Sequence, residues 1–232
     1  SVMKEHCDLC LNWGMGIEKI GFVTKGVVTL GLYYMLFAIE AGKAKGLISA
    51  EEAAGYYEQL KQACDTMDQT VEKAKVWYAA NEAELTDLKR VQILGYGPNH
   101  AVALEGALKI LEISKRRIGV GYEFDDGMHG PTMGYTPSNC VIVLHDGGRE
   151  DVRAHQLTTF AKNELGYGYL IGENPIDASD LPISLTGGEF IFLELSPVVQ
   201  ILAYRLAVDY GIDLTDMSYH SETKYFNTHN EA

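Results

Sequence analysis

Cysteine, proline and tryptophan are scarce in this 232-residue chain, which has four, six and two of them respectively. Only Cys7 and Cys10 lie close together, and no second such pair accompanies them. A chain of this length buries a sizeable core without disulfides or metals. The four therefore read as reduced cysteines of a cytosolic protein, and a lone C-x-x-C is a weak metal signal. Positive charge is also short: 19 Lys and Arg against 32 Asp and Glu leave a net charge of −13. No broad basic face is available, which argues against nucleic acid and anionic membrane surfaces as partners. A local pocket can still oppose the global charge and take an anionic small substrate. Long hydrophobic runs are missing as well. The run Val27 to Ile39, VVTLGLYYMLFAI, is shorter than a bilayer span and reads as a buried core helix. No signal peptide is visible, and the expected setting is cytoplasmic with no membrane partner.

The composition that remains, 47% hydrophobic and 22% charged, is ordinary for a globular protein. His6 to Asn12 reads as a short strand, and a largely buried helix follows from about Glu18 to Ala41. Ser49 with Glu52 three residues on is a capping box. It opens a segment to about Leu88 that reads as one or two long polar helices, the plainer form being a connecting helical hairpin packed on one face. From Val91 the pattern becomes alternating strands and helices. VQILGYG is a strand and turn, Pro98 to Arg117 a helix, and Ile118 to Phe124 a strand. Cys140 to His145 is a strand, Asp151 to Leu165 a helix, and Tyr167 to Ile171 a strand. Phe190 to Leu195 is apolar and short, and Pro197 to Tyr210 is a helix stopped by Gly211. Such alternation predicts βαβ units and a parallel sheet with helices on both faces, with ligands beyond the carboxyl ends of the strands.

Three groups of residues could carry chemistry. Gly95-Tyr96-Gly97 invites a dinucleotide reading, but His100 stands where the fingerprint needs its third glycine. Glu105, Lys109 and Glu112 follow at spacings of four and three, so they share one helix face. Leu104, Leu108 and Leu111 repeat that spacing on the neighbouring face, which is expected to be the buried one. The plain alternative is a solvated Glu–Lys pair worth a few tenths of a kcal/mol. His129 lies in the Gly/Pro-rich loop GMHGP. Carboxylate, ammonium and imidazole at the C-terminal edge of a parallel sheet are the parts needed to move protons on a small polar substrate.

These residues also carry a family resemblance. ALEGALKILEIS followed by HGP resembles the sugar isomerase (SIS) domain. It is most similar to the second SIS half of the isomerase portion of glutamine–fructose-6-phosphate aminotransferases and their relatives, including fructosamine-6-phosphate deglycases. Gly16-Ile-Glu18 through Thr24-Lys25 resembles the element that closes the first SIS half. The resemblance implies a three-layer α/β/α sandwich with a parallel, Rossmann/flavodoxin-like sheet, preceded by a helical remnant of a first lobe. It divides the chain into 1–45 (end of an incomplete first SIS domain), 46–88 (helical linker), 89–215 (second SIS domain) and 216–232 (a tail closing on the site).

The resemblance also implies roles. Glu112 would shuttle a proton between C1 and C2 of an open-chain phosphosugar. His129 would help open the sugar ring, supplied by the neighbouring subunit of a homodimer. Lys224 would close over the sugar, Glu105 and Lys109 would support the site, and Gly21, Phe22 and Val23 would line it. No metal or redox cofactor is implied. The family's S-x-S-G-x-T phosphate cradle is not in this sequence, so the expectation is the C-terminal part of a two-SIS protein of roughly 330–350 residues. The implied activity is isomerisation of a ketose/aldose 6-phosphate or amino-sugar phosphate. The alternatives are release of an amine from a fructosamine 6-phosphate, or phosphosugar binding without turnover.

Overall fold

The computed structural model describes residues 3–18, 21–215 and 225. Short apolar runs closed by turn residues become strands. Arg90–Gly95 (β1), Ile118–Glu123 (β2), Asn139–His145 (β3) and Tyr167–Gly172 (β4) lie parallel, and the two-residue Leu181–Pro182 (β5) joins at one edge. The order is β2-β1-β3-β4-β5. The helices are Met3–His6 (α1), Lys25–Ala44 (α2), Ala50–Asp87 (α3), Pro98–Ser114 (α4), Phe124–Met128 (α5), Asp151–Phe160 (α6) and Ile191–Asp209 (α7).

Strand side chains alternate between two cores. Val91, Ile93, Ile142 and Ile171 pack with α3, α4 and α7 on one face. Leu94, Val141, Val143 and Leu170 pack with Phe124 of α5 and with Ala154 and Leu157 of α6 on the other. This is the expected three-layer α/β/α sandwich. β1 and β3 are buried along almost their whole length, as befits central strands covered on both sides.

Several local expectations change. His6 to Asn12 is not a strand: α1 ends at His6 and irregular chain follows. Of the one or two helices expected after Ser49, the structure has one, of 38 residues, and not the hairpin. Its capping box is formed: Ser49 Oγ accepts from Glu52 N at 3.1 Å, and Glu52 Oε2 accepts from Ser49 N at 2.7 Å. No glycine or proline interrupts the chain after Gly55, so nothing stops the helix until Leu88. α7 begins at Ile191 and carries Pro197 inside it, in the second turn, where the missing N–H removes one helical hydrogen bond.

α2 starts at Lys25, not Glu18, and of its residues only Gly26 and Ile39 are buried. The apolar run is therefore not a core helix within this chain. By length and composition alone, Lys25–Ala44 and Gly188–Asp209 could each cross a membrane, but the second is largely buried against the sheet.

The leucine face of α4 is also reversed. Leu104, Leu108 and Leu111 are about half exposed, whereas Glu105 and Lys109 are buried. The cause lies in β2, the edge strand. A Cβ on Gly121 would stand 2.7 Å from Leu104 Cα, and one on Gly119 would stand 2.3 Å from the Ala107 carbonyl oxygen. The glycines let the α4 backbone settle directly on β2. The leucines then project past the sheet edge, and the charged face turns inward toward α7.

Candidate active site

Lys109 is the hub of the site. It is 2% exposed, with its ammonium 2.5 Å from Glu112 Oε1 and 3.6 Å from Glu105 Oε1. Glu105 is 8% exposed, and its Oε1 has no hydrogen bond. The Glu112 side chain is 32% exposed. Burial pushes the Glu105 carboxyl above its ordinary range; Lys109 pulls it back only in part, and the Glu112 charge adds to the rise. The sequence pattern therefore brings all three charges together. The carboxyl held up by desolvation is Glu105.

The loop before α2 is organised by Glu18. Its carboxylate accepts from Thr24 N at 2.8 Å, Thr24 Oγ1 at 3.1 Å, Lys25 N at 3.0 Å and Gly26 N at 2.9 Å. Burial opposes ionisation, but the backbone bonds from Thr24, Gly26 and Lys25 win and hold the carboxyl below its ordinary value. An acidic side chain across a helix N-terminus satisfies its orphan amides. Gly21, Phe22 and Val23 lie just before the clamped amides. Phe22 packs against the main core, and Val23 is exposed.

His129 follows α5 and is exposed. Its Nδ1 lies 2.8 Å from the Asp125 carbonyl oxygen, a bond that requires Nδ1–H and leaves Nε2 as the acceptor. Thr132 Oγ1 donates to the His129 carbonyl at 2.7 Å and the Met128 carbonyl at 2.9 Å, which pins the loop.

The structure does not bring Glu112 and His129 together within one chain. β1 and β2 end at the same level, with Gly95 beside Glu123, and His129 follows that edge. α4 starts there and runs back along the sheet, so Glu112 lies about 21 Å down its axis from Pro98. The expectation that all three groups gather at the carboxyl edge thus fails for Glu112 and for Lys109 beside it, for a reason of helix length. Lys224 lies outside the described residues.

Sequence reasoning missed two polar groupings. Glu194 is fully buried in α7. Its carboxylate accepts from Thr66 Oγ1 at 2.9 Å, Thr186 Oγ1 at 3.0 Å and Gly187 N at 2.9 Å. A lone acid inside the apolar run IFLELSPVV was the available signal. At the ends of β3 and β4, Asp151 Oδ1 meets His145 Nε2 at 2.9 Å and accepts from Asn174 Nδ2 at 2.7 Å. Among the described residues no group of three His, Cys, Asp or Glu is placed to hold a metal ion.

No family model matches the chain. The glutamine–fructose-6-phosphate aminotransferase (isomerizing) of Sulfurisphaera tokodaii is 26% identical over 196 residues, 84% of this chain and 31% of that protein. The protein of the same name from Caldanaerobacter subterraneus subsp. tengcongensis is 25% identical over 224 residues, 92% of this chain and 36% of that one. The chain thus spans about a third of the length of the curated relatives it matches. Among solved structures, a candidate phosphosugar isomerase from Clostridium difficile 630 has a TM-score of 0.87 at 23% identity, covering 96% of this chain and 64% of the other. The C-terminal domain of glucosamine-fructose-6-phosphate aminotransferase from Francisella tularensis has a TM-score of 0.74 at 22% identity, covering 86% of this chain and 57% of the other. At these identities the structural likeness establishes the fold.

Proposed function

We propose, for a chain that has the SIS fold and resembles the isomerase portion of glutamine–fructose-6-phosphate aminotransferase, that it acts in a cytoplasmic phosphosugar isomerase. The reaction moves a proton between C1 and C2 of an open-chain ketose or aldose 6-phosphate. The observation that carries this reading is the Lys109–Glu112 pair: a partly exposed carboxylate fixed at 2.5 Å by a buried ammonium.

Glu112 is the general base. It takes the C1 proton of the ketose, leaving an enediol, and returns a proton at C2. Lys109 positions it, so that little orientation is lost on reaction. His129, with Nε2 as acceptor, takes the anomeric hydroxyl proton as the bond between the anomeric carbon and the ring oxygen breaks, and the imidazolium so formed gives the proton to that oxygen. Because Glu112 lies far down α4 and His129 follows α5 at the carboxyl edge of the sheet, they complete one site only across two chains, which makes the working unit a homodimer. Gly21 to Val23 line the sugar, and Lys224 closes over it. A second reading, release of an amine from a fructosamine 6-phosphate, is favoured by the buried carboxylate of Glu105, which could face an amine.

The test uses the protein at its native length with fructose 6-phosphate in deuterated water. Exchange at C1 or C2 is expected, and Glu112→Gln should slow it about 10²–10⁴-fold. Full exchange in that variant removes Glu112 from the chemistry. Tight binding without exchange or turnover of any phosphosugar would instead make the protein a binding module. Release of glucose 6-phosphate from a panel of fructosamine 6-phosphates separates the second reading from the first.

A further inference from the structure

A cavity of about 320 Å³ lies between α2, α4 and α7. Val27, Val28, Met35 and Phe192 make its walls apolar. Two polar side chains reach it, Ser196 and Glu105. Ser196 Oγ is already committed, donating to the Phe192 carbonyl at 2.6 Å. Glu105 is only partly engaged: it is 8% exposed, its Oε1 has no short hydrogen bond, and Lys109 and Gln200 attend the carboxylate from longer range. Its nearest cation, Lys109, stands 3.6 Å away and is engaged by Glu112 at 2.5 Å. The three side chains therefore carry one uncompensated negative charge beside an apolar cavity.

Each kind of guest meets this differently. An apolar neutral molecule would fill the walls and leave the carboxylate with only its long contacts to Lys109 and Gln200. An anion would add to the excess negative charge. A protonated amine would supply both a donor and the missing positive charge, and its body would lie on the apolar walls. The volume lies at the small end of ligand pockets, which suits one ring or a short chain.

We propose that this cavity binds a small organic amine, with its ammonium group on Glu105 and its apolar body against Val27, Val28 and Phe192. The assignment deepens the amine-releasing reading above, and rests on that reading for the natural guest, which would be the amine portion of a fructosamine 6-phosphate. Binding of a simple amine requires no catalysis, so the two ideas can fail separately.

Calorimetry on the full chain compares 2-phenylethylamine, 2-phenylethanol and 3-phenylpropionate, which are similar in shape and differ in charge. The amine should bind, the alcohol about tenfold more weakly, and the carboxylate not measurably. Glu105→Gln should bring the amine down to the level of the alcohol and leave the alcohol unchanged, which also shows that the cavity still folds. Ala101→Leu, which fills the cavity, should weaken both. Equal affinity for amine and alcohol, an amine preference that survives Glu105→Gln, or no saturable binding of any probe at millimolar concentration would each overturn the assignment. Amine binding without turnover of any fructosamine 6-phosphate would keep the cavity assignment and discard the deglycase reading.

Discussion

Glu105 lies 3.6 Å and Glu112 2.5 Å from Lys109, so one buried ammonium serves two carboxylates. Glu194 shows what a satisfied buried acid looks like in the same fold, with hydroxyl and amide donors on its carboxylate. Glu105 lacks such donors on Oε1, and burial raises its pKa despite the attraction of Lys109. The sign of the linkage follows. A carboxyl whose folded pKa is raised contributes stability that is fully present below the unfolded value, about 4.3 for glutamate. That contribution is lost as pH rises through the folded pKa. Glu105→Gln keeps the protonated shape and does not titrate. Urea unfolding should therefore show little difference between the variant and the parent near pH 4. A gap in favour of the variant should open as pH rises toward 7. A gap that stays constant across that range would mean that Glu105 does not titrate differently on folding.

At the scale of elements, β2 decides how α4 is presented. Gly119 and Gly121 leave room for the α4 backbone, and the Cβ of an alanine at 119 would meet the Ala107 carbonyl oxygen at 2.3 Å. That neighbour is backbone and cannot rotate away. Gly119→Ala should destabilise the fold by about 1–3 kcal/mol in urea titrations. Gly55→Ala, in α3 with nothing within 4 Å of its Cβ, should stabilise by about 0.5–1 kcal/mol. Equal effects at the two sites would show that α4 does not depend on the glycines. The same geometry explains what could be read from sequence. β1, β3 and β4 were legible because short apolar runs between turn residues need only local reading. The Ser49 capping box was legible because both its bonds join residues three apart. The shared face of Glu105, Lys109 and Glu112 was legible from helical spacing. Which face turned inward was not, because charged and leucine stripes repeat at the same interval and only the β2 glycines choose between them. The start of α2 was hidden too: Glu18 looks like part of a helix, yet its carboxylate folds forward onto the amides of Thr24, Lys25 and Gly26.

On the scale of the whole molecule, apolar surface and the proposed chemistry call for the same completion. α2 is apolar and mostly uncovered, and Leu104, Leu108, Leu111 and Ile118 form exposed apolar surface along the β2 edge. Such patches mark contact surfaces. The chain also sets Glu112 about 21 Å along α4 from the edge that His129 follows, so neither group can serve the other inside one copy. If sites are shared between two chains, each variant alone should be inactive, and a mixture should recover. Equal amounts of Glu112→Gln and His129→Asn proteins, unfolded and refolded together, form mixed dimers in which one site has both groups and the other has neither. Random pairing makes half the dimers mixed, with one working site in two, so isomerase activity should return to about a quarter of the parent value. Refolding each variant separately before mixing should give none. Failure of the co-refolded mixture to recover, with each variant inactive alone and dimers present by light scattering, would mean that no site takes these two groups from different chains. Full activity of His129→Asn on its own would take His129 out of the reaction, and the base for the ring hydroxyl proton would have to be another side chain.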